Sequence, residues 1–249
     1  MTTPASGNLG EIWVYLSTSP LLGLTMTLLA YQGAVLVNQR CKAHPLANPV
    51  LIAVIALVGM LTATGTAYAV YFDGAQFVHF LLGPATVALA IPLYAQLARL
   101  KQLLGPLLVA LVGGSLVASI SAVLIGWTLG GSAATLLSLA PKSVTTPIAM
   151  GVAERLGGLP SLTAVLVILT GILGAVGAGG LFTLMRIDDP AVRGFAVGLA
   201  SHGIGTARAF QVSEQAGAFA ALAMGLNGLA TALLLPLILP PLVRLLGNS

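Results

Sequence analysis

The sequence predicts an all-α integral membrane protein with about seven transmembrane helices and one re-entrant or broken helical hairpin. Three observations support this. Of the 249 residues 57% are apolar and only 6% are charged, where a soluble domain averages about a quarter charged. The apolar residues gather in stretches of roughly 20, the length that crosses a bilayer as a helix. The polar breaks between them are too short for a soluble domain. A soluble alternative fails because 10 Lys and Arg with 6 Asp and Glu cannot cover the surface of a 25.1 kDa chain, and mean hydropathy is +1.02.

In chain order, spans are expected at about 12–38, 49–71, 77–98 and 104–127, followed by a broken segment at about 131–155. Further spans are expected at about 160–185, 193–211 and 217–243. Composition does not shift along the chain, so residues 1–249 read as a single transmembrane domain. No basic cluster precedes the first apolar run and no cleavage signal follows it, so that segment is expected to stay in the mature protein. The single cysteine, Cys41, lies beside Arg40 and Lys42 and excludes a disulfide framework; its loop is expected to face a reducing side.

Lys and Arg in short loops prefer the cytoplasmic side. Simple alternation of eight spans divides these charges between the two sides. If residues 131–155 instead enter and leave on one face, Arg40, Lys42, Arg99, Lys101, Arg186, Arg193 and Arg244 all fall inside, and only Arg155 is left outside. The N-terminus is then outside and the C-terminus inside. Pro141 and Pro147 support the hairpin, because proline forbids a regular helix through the residues between them. The run led by Pro49 resembles the run led by Pro160, 111 residues on, and the same offset lays Gly83 on Gly194. In the hairpin topology these halves run in opposite directions, as inverted repeats. Two proline-led apolar runs resembling each other by chance is the alternative.

Three polar constellations carry the chemistry. In the first, Ala140 to Pro147, Lys142 is an ammonium inside an apolar segment, which needs an anion, a carbonyl or a cavity. The hydroxyls of Ser143, Thr145 and Thr146, with the N–H groups of a helix start, form an anion nest. The plainer alternative is a lysine snorkelling to the interface. The second, Ser201 to Arg208, interrupts an apolar span with Gly203 and Gly205. Here Arg208 offers a fork for a carboxylate, His202 can change protonation near neutrality, and Ser201 and Thr206 add hydroxyls. Its alternative pairs Arg208 with Glu214 and gives His202 a backbone carbonyl. In the third, Leu82 to Pro92, Pro84 and Pro92 free backbone groups and Thr86 supplies a hydroxyl; close packing of a kinked helix is the other reading. Asn48, ahead of Pro49, reads as a helix cap.

These residues point to a membrane carrier of small organic anions by alternating access, coupled either to protons through His202 or Glu214 or to sodium held by hydroxyls and freed carbonyls. No enzyme is expected. Ser201 and His202 are adjacent and face different ways, and His44, His79 and His202 sit apart from any cysteine or carboxylate at ligand spacing. Neither metal nor cofactor is implied, and no nucleic acid. Small-residue faces permit a homodimer.

The stretches Phe80 to Tyr94, Ala140 to Ala149 and Ser201 to Arg208 together resemble the signatures of the LrgB/CidB family, and the likeness runs from about Pro20 to Pro236. The resemblance implies one of two functions. Family members include a plastidial glycolate/glycerate transporter and proteins implicated in pyruvate transport, which implies a carrier of small monocarboxylates. The family was first described as holin-like or antiholin-like regulators of murein hydrolase export, which implies a membrane scaffold instead. Either implies a multi-pass protein of the inner (plasma) membrane. The plant relative fuses an LrgA-like half that this chain does not contain, so an LrgA/CidA-like subunit is the implied partner. Relatives more often carry alanine after the histidine, where this chain has Gly203.

Overall fold

The computed structural model describes residues 20–42, 44 and 47–247, and among them every regular element is an α-helix. The expected start of the first span, at about residue 12, lies outside the described residues. The described residues form two compact units, one up to Ala88 and one from Leu89 onward.

In the first unit α1 (Pro20–Arg40) packs against α2 (Pro49–Thr64) and α3 (Tyr68–Phe80), and α4 (Leu82–Ala88) closes the unit. Asn48 caps α2, accepting from the amides of Val50 at 2.9 Å and Leu51 at 3.2 Å, which bears out its reading from sequence. The expected span 49–71 ends early. Gly65, at φ 65°, turns the chain into the left-handed region, and the amides of Gly65 and Thr66 close on Thr62 and Leu61. With 16 residues α2 is roughly 24 Å long. The expected span 77–98 is likewise divided, into the end of α3, then α4, then α5 (Ala90–Ala95). Both latter pieces carry a proline, Pro84 and Pro92.

The second unit holds α5, α6 (Leu97–Thr128), α7 (Ala133–Leu139), α8 (Thr146–Leu156), α9 (Pro160–Leu184), α10 (Pro190–Val212) and α11 (Glu214–Gly247). Three of these are long: α6 with 32 residues, α9 with 25 and α11 with 34. Leu107 and Leu111 of α6 share a core with Phe219 and Ala223 of α11, while Val123 of α6 meets Leu235 and Leu239. Contacts that advance together along both chains make α6 and α11 parallel. Among the described residues four helices, α1, α6, α9 and α11, are long and apolar enough to cross a membrane. The pieces between Tyr68 and Ala95 would make a fifth if taken as one crossing.

The break expected at 131–155 is present as a helical hairpin. Helix α7 stops at Leu139, α8 restarts at Thr146, and Leu136 and Ala140 of the first arm pack with Val152 of the second. The two prolines account for the gap, Pro141 lying in the turn and Pro147 in the first turn of α8.

The expected span at 193–211 is not a single crossing. Helical geometry fails within α10 at His202, whose φ is 42° and ψ −133°. A Cβ on Gly205 would stand 2.8 Å from the carbonyl oxygen of Val197, eight residues earlier. In a continuous helix residues eight apart are roughly 12 Å apart along the axis. The chain therefore doubles back, with Pro190–Ser201 and Gly203–Val212 as the arms of a second hairpin. Consistent with this, Gly194 and Gly198 of the first arm lie against Ala216 and Ala220 of α11 in parallel order, while Phe210 of the second arm lies back against Gly217.

The second hairpin also revises the expected sidedness. Arg99 pairs with Asp189 at 2.8 Å, placing the start of α6 and the α9–α10 connection at one end of the unit. Because α11 runs parallel to α6, Arg244 near its C-terminus belongs to the opposite end, not with Arg99 and Lys101 as expected.

Candidate functional site

The two hairpin tips meet among α6, α9 and α11, well inside the ends of all three. Val144, at the first tip, packs against Val167 of α9. His202, at the second tip, has its Nε2 2.9 Å from the carbonyl oxygen of the same Val167. Val167 lies seven residues into α9, roughly 10 Å from its start.

Asn227 of α11 joins the tips. Its Nδ2 donates to the carbonyl of Leu199, just before the second tip, at 2.9 Å and to the carbonyl of Ser143, in the first, at 3.3 Å. Its Oδ1 accepts from the Ser115 hydroxyl of α6. Asn227 is 1% exposed, so four polar groups from four segments satisfy one another away from solvent and lipid.

Glycines on α9 make room for the second tip. A Cβ on Gly174 would lie 1.8 Å from the Ser201 hydroxyl, and one on Gly171 would lie 2.7 Å from the His202 ring. Only glycine admits side chains that close to a helix axis. Buried Thr206 donates to the carbonyl of His202 at 2.8 Å, holding the first turn after the reversal.

The residues singled out from sequence fall into three groups. Ser143, Ser201, His202 and Thr206 are buried at the joint. Lys142, Thr145 and Thr146 are half-buried at the first tip, and the Lys142 ammonium donates to the neighbouring Ser143 hydroxyl at 3.4 Å. Thr145 stands at the N-cap position of α8 without a side-chain cap bond, and Thr146 is the first helical residue. Arg208 and Glu214 lie elsewhere. The Arg208 guanidinium donates to Gln211 at 2.9 Å near the foot of the second arm, and Glu214 is exposed at the start of α11. Thr86 is on α4, and its side chain lies outside those described. His202 meets a backbone carbonyl, as its plainer reading proposed.

Sequence reasoning missed Asn227 and Ser115. Asn227 left a signal, a lone amide in a long apolar helix, where a polar group needs a partner. Ser115 left none, because serine in an apolar helix can satisfy itself on its own backbone. Among the described residues no group of three or more His, Cys, Asp or Glu is placed to hold a metal ion.

Long apolar helices flanking two broken segments, with a buried polar joint where the breaks meet, define a multi-pass α-helical membrane protein. Within that class the chain belongs to the LrgB-like family, whose model matches residues 27–240. It is 38% identical over 219 residues to the uncharacterized protein YwbG of Bacillus subtilis, covering 88% of this chain and 97% of that one. It is 30% identical over 223 residues to the antiholin-like protein LrgB of Bacillus cereus, covering 89% and 96%. The same identity and coverage hold for the antiholin-like protein LrgB of Bacillus anthracis. No solved structure matches.

Proposed function

We propose that this chain is an antiholin-like protein of the plasma membrane, without enzymatic activity or a cofactor, that restrains murein hydrolase export together with a small LrgA/CidA-type membrane subunit. The observation behind this reading is the near full-length likeness to relatives named antiholin-like, at 30% identity over 89% of the chain. The test is hydrolase activity released into the medium by a bacterial host expressing the chain with and without such a subunit. A drop that requires both proteins is expected. Unchanged release with both proteins folded and inserted would overturn the reading.

The joint itself favours a second reading, a carrier of small monocarboxylates such as glycolate, glycerate or pyruvate, working by alternating access. Two broken segments with a half-buried ammonium nearby suit an anionic solute better than a static scaffold. In this reading Lys142, Ser143, Thr145, Thr146, Ser201, His202 and Thr206 face the solute. Arg208 lines its approach, and a proton on His202 or Glu214 biases the two states. The crossings would be α1, α2, the α3–α5 pieces, α6, α9 and α11. The halves led by Pro49 and by Pro160 would be inverted repeats, and the whole chain one transmembrane domain, alone or as a homodimer. Uptake of labelled glycolate, glycerate and pyruvate into proteoliposomes is expected to saturate for the wild type and to fall at least tenfold in Lys142→Ala, a loss typical of removing a charged partner. Absence of uptake by folded protein, alone and with an LrgA-type subunit, would eliminate the carrier.

A further inference from the structure

We infer that Asn227 is a latch between two gates, one hairpin tip being the gate to each side of the membrane. The inference rests on the carrier reading for its purpose, but its geometry is independent of any solute.

The first hairpin springs from the end of the unit where α6 finishes and α9 begins, because α7 and α8 lie between those two helices in sequence. The second springs from the end where α9 finishes and α11 begins, the end fixed by the Arg99–Asp189 pair. The hairpins thus enter from opposite ends and stop against each other. Each tip offers one carbonyl, Ser143 or Leu199, and a single carboxamide on an unbroken helix donates one N–H to each. An amide has two N–H donors, and both are in use here. The Ser115 hydroxyl occupies Oδ1 and fixes which way the amide faces. Releasing one tip leaves the other still held by the remaining N–H. That is the property an alternating gate requires, since one side must stay shut while the other opens. Asn227 is accordingly a positioning residue, acting through the tips.

The experiment reads accessibility side by side. Cys41 is the sole cysteine and is exposed, so Cys41→Ser provides a thiol-free background. Thr145→Cys reports the first tip. Gly203→Cys reports the second, where an added Cβ would meet only the Met224 sulfur, at 3.9 Å. Labelling by a membrane-impermeant maleimide is measured from either side of oriented vesicles, without solute, for the wild-type latch, Asn227→Asp, Asn227→Leu and Ser115→Ala.

Loss of a buried hydrogen bond should raise labelling about five- to tenfold in the Asn227 variants. Each cysteine should respond only from the side its hairpin enters. Ser115→Ala, which leaves both donors in place and removes only the bond that orients them, should give the same pattern at smaller size. General loosening of the unit would instead raise labelling of both cysteines from both sides, and that result, or no change in any of the three variants, would overturn the latch. Should Asn227 variants fail to fold, Ser115→Ala decides alone. Because no solute is present, the latch can fail while proteoliposome uptake succeeds, and the reverse.

Discussion

The two hairpins reach the same depth by different means. The first turns through six residues, from Ala140 to Thr145, between helices that proline keeps apart. The second turns on one residue, His202, with helix directly on either side and no proline in the turn. In the first, the covalent constraint of proline makes the turn. In the second, the turn is imposed by neighbours that admit close approach: Gly171 and Gly174 on α9, Gly194 and Gly198 within the first arm, Gly205 within the second. A break built from proline survives changes in its surroundings, whereas a break built from packing depends on every glycine that makes room for it.

Alanine substitution should separate the two hairpins most sharply. A Cβ on Gly198 would lie 2.1 Å from the carbonyl oxygen of Ala220, and one on Gly205 would meet backbone at 2.8 Å. Neither clash is relieved by a side-chain rotation, so Gly198→Ala and Gly205→Ala should each cost about 3 kcal/mol or more, visible as lost yield and a lowered Tm in detergent. Gly151, on the second arm of the first hairpin, has nothing within 4 Å of such a Cβ. Gly151→Ala should be neutral or gain up to about 1 kcal/mol from helix propensity. Equal losses at Gly151 and Gly205 would show that the two hairpins do not differ as argued.

This difference also explains what was legible in the sequence. The first break was readable, because Pro141 and Pro147 act locally and proline excludes helix whatever surrounds it. The second was not. Its glycines are compatible with a continuous helix, and the reversal at His202 is fixed by contacts with α9 and α11 that no local pattern encodes. The expected span at 193–211 followed, and so did a C-terminus placed on the wrong side of the joint. Ser143, Ser201, His202 and Thr206 were legible as polar groups in apolar runs. That they meet was not, since the amide that joins them lies on a third helix. Arg208 stood out by charge and was grouped with His202 by adjacency, but the reversal at His202 carries it away from the tip toward Gln211.

The strain at His202 gives a smaller and more specific effect. A non-glycine residue at φ 42° costs about 1–2 kcal/mol relative to glycine. Both His202→Gly and His202→Ala remove the contact with the Val167 carbonyl, so their difference isolates the backbone. Glycine should be the more stable by about 1 kcal/mol, the reverse of the order at an ordinary helix interior. Paired unfolding measurements in detergent check this, and alanine equal to or better than glycine would mean that the chain does not reverse there.

The feet of the hairpins differ as well, and pH should tell them apart by the smallest margin. The first is tied by neutral groups: the Ser138 hydroxyl accepts from the Leu159 amide at 2.7 Å, and Thr163 donates to the Ser138 carbonyl at 3.1 Å. The second is tied by Asp189, which accepts from the amides of Ala191 at 2.8 Å and Val192 at 3.2 Å and pairs with Arg99. Burial tends to raise the Asp189 pKa, but the two amides and the guanidinium outweigh it and hold the carboxyl below its ordinary value. A carboxyl depressed in the folded state stabilises the fold above its unfolded pKa of about 4, and that contribution disappears as pH falls through the lower folded value. Asp189→Asn should therefore cost only about 0.5 kcal/mol near pH 7, since the pair is partly exposed and screened, and should flatten the acid limb of the Tm profile below about pH 4. Ser138→Ala should lower Tm without changing that limb. If the acid limb persists in Asp189→Asn, the second foot is not held by its charge, and the contrast between an ionic and a neutral anchorage is lost.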